Sequence, residues 1–148
     1  MIKPTILFHK FKLHIFRAVI WVVIGNTVRN AIDFAEDKTS ESILKESEKK
    51  FVKAYTYAYE TEGGKRRYML FFKYAAKPGE IAHEVKHLIN ILFKWHGHKL
   101  SLSNDEMECY YLEDLVNKVH NTIGRYKKTY IKSKPKKLDQ KTLNAILS

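Results

Sequence analysis

Residues 78–97 constrain this chain most. Pro78 and Gly79 open a helical pattern and Gly97 closes it, proline being tolerated in a first turn and glycine favoured just past the last one. Between them Ile81, Val85, Leu88 and Leu92 recur at helical spacing and form a core-facing stripe. His83, His87, Asn90 and Lys94 fall on the opposite side. The spacing predicts a helix over residues 79–95 with one face buried and one face open. On it, His83-Glu84-Val85-Lys86-His87 spells H-E-x-x-H. Residues four apart share a helix face, so the two imidazoles can aim at one metal ion. Glu84 sits about 100° round the helix from His83. There a carboxylate can take a proton from a water at the metal's open position. This is the logic of a zinc hydrolase: two nitrogen ligands, a third ligand from elsewhere, a water and a general base.

The rest of the chain predicts an α+β fold. Residues 11–24 read as one strand. Phe11, Leu13 and Ile15 alternate with Lys12 and His14, and the β-branched apolar run 19–24 suits a strand buried on both faces. Gly25-Asn26 ends it, and Thr27 has N-cap chemistry for a helix to about residue 36. Residues 37–50 are charged and serine-rich, a surface helix or a loop. Tyr55, Tyr57 and Tyr59 alternate with small residues in a strand over 53–60, and residues 67–74 form another. Glu62-Gly63-Gly64-Lys65 between them signals a hairpin. A second helix is expected to begin near Ser103 or Asn104, with Asp105 and Glu106 in its first turn. Leu112, Leu115, Val116, Val119 and Ile123 form its stripe, and Gly124 is expected to stop it. Residues 125–137 hold seven Lys and Arg and no acid. These features divide the chain into a domain over 1–124 and a basic C-terminal extension over 125–148.

Composition narrows the class. In 148 residues, 45% hydrophobic and 13% aromatic, there is enough apolar material for one domain with a real core. The net charge of +11, from 27 Lys and Arg against 16 Asp and Glu, favours acidic partners: nucleic acid, an anionic membrane surface or an acidic protein. A solvated basic surface with no partner accounts for the same charge. A single cysteine, Cys109, cannot form an intrachain disulfide, which fits a reducing compartment. The longest apolar run, residues 18–24, is too short to span a bilayer. The expected location is the cytoplasm, or a virion if the protein is phage-encoded.

With its H-E-x-x-H helix followed after eighteen residues by Glu106 in an acidic helix start, the chain resembles the zincin metallopeptidases of gluzincin type. The closest likeness is to the minimal zincins of phages and prophages, and it covers roughly residues 15–123. The resemblance implies a mostly antiparallel sheet packed on the H-E-x-x-H helix and a following acidic helix. It implies Zn2+ as cofactor, held by His83, His87 and Glu106, with Glu84 as general base. It also implies that the strand over 53–60 is an edge strand able to pair with an extended peptide substrate. Gluzincins often carry an aspartate four residues after the ligand glutamate, to hydrogen-bond a ligating histidine. Here that position is Tyr110, and Glu113, one turn on, is the candidate to replace it. Tyr110 and His98 are candidates for substrate or transition-state contacts. The expected function is a zinc-dependent peptide hydrolase. Two alternatives are a phage-type structural or interaction protein that keeps a zincin-like fold, and a basic nucleic-acid-binding module that uses its tail.

Overall fold

The structure, a computed structural model, describes residues 5–13, 16–99, 101–102, 105–133 and 145–147, with backbone alone for 129–133. Its elements are β1 (Ile6–Lys12), β2 (Val19–Gly25), α1 (Val28–Thr39), α2 (Glu46–Lys49), β3 (Tyr55–Glu60), β4 (Arg66–Lys73), α3 (Pro78–Trp95) and α4 (Asp105–Ser133). The strands form one sheet in the order β1-β2-β4-β3. The central pair, β2 and β4, is parallel, and the two outer pairs are antiparallel. The fold is thus α+β on a mixed sheet.

The single strand expected over residues 11–24 is two strands. Ile6 pairs with Gly25 and Lys12 with Val19 in an antiparallel ladder. The chain reverses between them, where the Leu13 N–H donates to the Ala18 carbonyl at 2.8 Å and Arg17 takes a left-handed φ of 50°. The alternation belongs to β1, a half-buried edge strand, and the apolar run belongs to β2, which is buried from Ile20 onward.

Both faces of the sheet are covered, which is why β2 and residues 68–72 of β4 are apolar. Trp21, Val23, Met69 and Phe71 pack with Val28, Ala31, Ile32 and Ala35 of α1. Ile20, Val22, Ile24, Tyr68, Leu70 and Phe72 pack with α3 and α4 on the other side. Each such large side chain contributes about 1.5–3 kcal/mol on burial. Gly25 is required at the strand-to-helix turn: a Cβ there would lie 2.9 Å from the Thr27 carbonyl oxygen and 3.2 Å from the Ala31 nitrogen. Thr27 caps α1 as expected, its Oγ1 accepting from the Asn30 N–H at 3.1 Å.

Residues 40–54 are a loop around the one-turn helix α2. Lys49, only 3% exposed, pins that loop to α1. Its ammonium donates to Asp33 at 2.7 Å, to Glu46 at 2.6 Å and to Glu36.

The motif helix α3 begins at Pro78, and the Lys77 N–H donates to Glu80 Oε1 at 3.0 Å. Ile81, Val85, Leu88 and Leu92 are all 1% exposed or less. Gly97, at φ +74°, follows its C-cap residue, His96. The α4 helix does not stop at Gly124 but runs on to Ser133. Tyr126 is fully buried, its hydroxyl donating to the Thr5 carbonyl at 3.0 Å and its ring stacking on Tyr74. The division expected at residue 124 therefore falls inside a continuous helix. Lys134, Lys136 and Lys137 of the basic segment lie outside the described residues. Among the described residues no helix is long and apolar enough to cross a membrane.

Candidate active site

The N-terminal half of α3 presents the motif. His83 and His87 are exposed on one face, with Nε2 atoms 3.1 Å apart and rings at 82°. At that distance two ring lone pairs repel unless something positive lies between them. One proton shared as an Nε2–H···Nε2 hydrogen bond meets that need, and so does a metal ion. Two nitrogens bound to one tetrahedral zinc at about 2.0–2.1 Å stand about 3.3 Å apart. The imidazole pair therefore fits a zinc ion with a shift of a few tenths of an ångström.

Glu84 turns the other way. It is 8% exposed, and its Oε2 lies 3.9 Å from His83 Nε2. The edge strand β3 holds it in place: Thr56 Oγ1 donates to Glu84 Oε1 at 2.8 Å and also contacts the Glu84 carbonyl oxygen at 3.0 Å. That hydrogen bond occupies one carboxylate oxygen and leaves Oε2 on the histidine side. Strand alternation explains the geometry. Tyr55, Tyr57 and Tyr59 face α1, so Thr56 and Ala58 face α3. Small residues there let the helix approach, and the one hydroxyl meets the buried carboxylate.

An open cleft of about 370 Å³ lies beside this group, lined by Lys53, Ala54, Gly79, Glu80, His83 and Glu84. It runs between the start of the edge strand and the first turns of α3. Glu80 Oε1 is taken by the helix cap, while its Oε2 is buried with no hydrogen-bond partner among the described residues.

The structure brings His83, Glu84 and His87 together and leaves the other expected residues apart. Glu106 is exposed on the first turn of α4. Among the described residues its carboxylate does not join the histidine pair in a set of ligand atoms within 4.8 Å of one another. The α4 carboxylate that does reach α3 is Glu108, ion-paired with Lys86. Tyr110 is 64% exposed and packs edge-on against Tyr111. His98 lies past the far end of α3, against Phe16 and Phe93. Glu113 is exposed on α4. Thr56, Glu80 and Glu108 were not singled out from sequence. The alternation in β3 carried the only signal for Thr56.

Among the described residues the group of three ligand-type side chains whose ligand atoms lie within 4.8 Å of one another is Asp33, Glu36 and Glu46. The Lys49 ammonium sits among them and supplies the positive charge. No protein-family model, curated protein or solved structure matches the chain.

Proposed function

We propose that the protein is a zinc-dependent peptide hydrolase of zincin type, acting at the face of α3 that carries His83 and His87. The observation that carries this reading is the pair of Nε2 atoms 3.1 Å apart with the Glu84 carboxylate 3.9 Å from one of them. When bound, zinc supplies Lewis acidity to a water and to a substrate carbonyl. Glu84 is the proton acceptor, at Oε2, because Thr56 already donates to Oε1. The same carboxyl then returns the proton to the leaving amine. His83 and His87 must present neutral Nε2 atoms to hold the metal. Their protonation, or a shared proton between them, competes with loading.

The reading keeps Glu106 as the third protein ligand. In its support, the Lys86–Glu108 ion pair brings the first turn of α4 against the turn of α3 that bears the histidines. Substrate orientation follows from the sheet. Among the described residues β3 is an edge strand, paired only with β4, so its other side can pair with an extended peptide beside the cleft.

A structural or interaction protein on the same fold is the second reading. It is favoured by one observation: the histidines are exposed and no carboxylate joins them in a ligand set among the described residues. Metal analysis together with a peptide-cleavage assay separates the two. Metal without cleavage at any pH supports the second, and cleavage that disappears in Glu84→Gln supports the first.

A further inference from the structure

A second cavity, of about 480 Å³, lies at the end of the sheet from which the parallel strands β2 and β4 start. Lys10 of β1, Arg17 of the β1–β2 connection, and Lys65, Arg66 and Arg67 around the start of β4 line it, with His96 past the end of α3. Among the described residues no carboxylate lines it. None of the five cations forms an ion pair among the described residues. Like charges that line one cavity repel one another, so the arrangement favours an anion between them.

Neutral groups hold three of these cations in place without consuming their charge. Arg66 Nη1 donates to the Trp95 carbonyl at 2.6 Å, and its guanidinium lies 5.4 Å from the Trp95 ring centre. Arg67 Nη1 donates to the Tyr59 hydroxyl at 3.2 Å and lies 5.0 Å from the Trp21 ring. The Lys10 ammonium lies 4.8 Å from the same indole. Tyr68, 2% exposed, also lines the cavity, and its hydroxyl has no hydrogen-bond acceptor among the described residues. The Arg66 guanidinium beside that hydroxyl is a donor only, so it offers the O–H proton no acceptor. A buried hydroxyl without a partner calls for one from outside the chain.

We propose that this cavity binds a small, multiply charged phosphate-bearing anion, held by Arg66, Arg67, Lys65 and Lys10 and by a hydrogen bond from Tyr68. Arg66 reaches the cavity from the Trp95 side of the sheet and Arg67 from the Trp21 side, so the two would take different phosphate groups of one ligand with the N–H donors that Trp95 and Tyr59 leave free. The volume falls in the range of about 300–1,000 Å³ usual for small-molecule sites. Trp21 is 6% exposed and carries cations from two residues, so it offers no free face on which a nucleic-acid base could stack. The site is distinct from the histidine pair: His96 is nine residues beyond His87, about 13 Å along the helix.

The test is titration calorimetry of the full-length protein with inorganic triphosphate at about 0.15 M salt. One saturable site is expected. The Arg66→Gln/Arg67→Gln variant should weaken it by about tenfold or more, and Tyr68→Phe by about threefold. Lys127→Gln/Lys128→Gln, which removes the same charge from α4, should change it by less than about twofold. Circular dichroism checks folding, and if the arginine variant is unfolded, Tyr68→Phe and Lys65→Gln carry the test. Absence of saturable binding would overturn the proposal, and so would equal weakening by the two double variants. A single-stranded oligothymidylate that binds about tenfold tighter than triphosphate, at these same residues, would overturn the small-ligand assignment in favour of a polymer backbone.

Discussion

A carboxyl group buried as deeply as Glu84 needs hydrogen-bond partners, and among the described residues Thr56 is its side-chain partner. Replacing Glu84 by Gln keeps the shape and a hydrogen-bond acceptor for Thr56 but removes proton acceptance. Glu84→Gln should therefore retain metal and lose peptide cleavage by about 10²–10⁴-fold, the usual weight of a general base. Zinc content measured beside turnover checks this, and loss of zinc would reassign Glu84 as a ligand. Thr56→Val deletes the donor with little change in volume. It should cost about 1–3 kcal/mol of stability, because Oε1 is left buried and unpaired. It should also lower kcat more than it raises KM, since the base is misplaced and the metal is not. Equal stability of Thr56→Val and wild type in urea unfolding would show that the hydrogen bond does not matter. The motif itself was legible because its residues are neighbours on one helix. Thr56 was not, because it lies twenty-eight residues away, and sequence alone cannot say which strand will lie beside α3.

The element most dependent on charge is the loop held by α2. Burial works against the Lys49 ammonium, but its hydrogen bonds to Asp33, Glu36 and Glu46 outweigh that and raise its pKa above the ordinary 10.5. Burial likewise opposes ionisation of Glu36. The hydrogen bond from Lys49 and those from the Ile43 and Leu44 N–H groups outweigh it, so its carboxyl sits below the usual range. The folded protein then binds fewer protons at Glu36 than the unfolded chain does. That contribution to stability is present above the ordinary carboxylate range and drains away as pH falls through the folded value. The Lys49 contribution has the opposite sense. It is present below pH 10.5 and is lost as pH rises through the raised value. Lys49→Met should destabilise the protein by about 1–3 kcal/mol at neutral pH. It should also flatten the acid limb of the stability profile, as urea unfolding at neutral and acid pH would reveal. An acid limb as steep as that of wild type would remove Lys49 as its cause. Element types were largely legible here: Thr27, Pro78 and Gly97 marked real helix ends. Gly124 misled, because a mid-helix glycine costs only about 1 kcal/mol while burial of Ile123 and Tyr126 contributes about 1.5–3 kcal/mol each. The β1–β2 reversal was hidden because an alternating edge strand runs straight into an apolar central one.

At the scale of the whole molecule, the basic C-terminal region is partly built into the fold. Tyr126 ties α4 to Thr5 beside β1 and to Tyr74 beyond β4. Ending the chain after Gly124 should therefore cost about 3–5 kcal/mol, as for loss of a buried aromatic side chain, and lower Tm by about 10 °C. A truncated protein with unchanged Tm would show that residues beyond 124 form a separable extension. The α+β layering was legible because β2 and β4 are apolar on both faces and α3 is apolar on one. The parallel pairing of β2 with β4 was not, because neither strand's sequence names its neighbour. The most direct measurement for the peptide-hydrolase reading is zinc content, determined by elemental analysis of protein purified without chelator and after zinc addition. About one zinc per chain in wild type and in Glu84→Gln, with loss of most of it in His83→Ala, is the expected result. Less than about a tenth of an equivalent in wild type after zinc addition would contradict it, and would leave His83 and His87 as an imidazole pair sharing a proton.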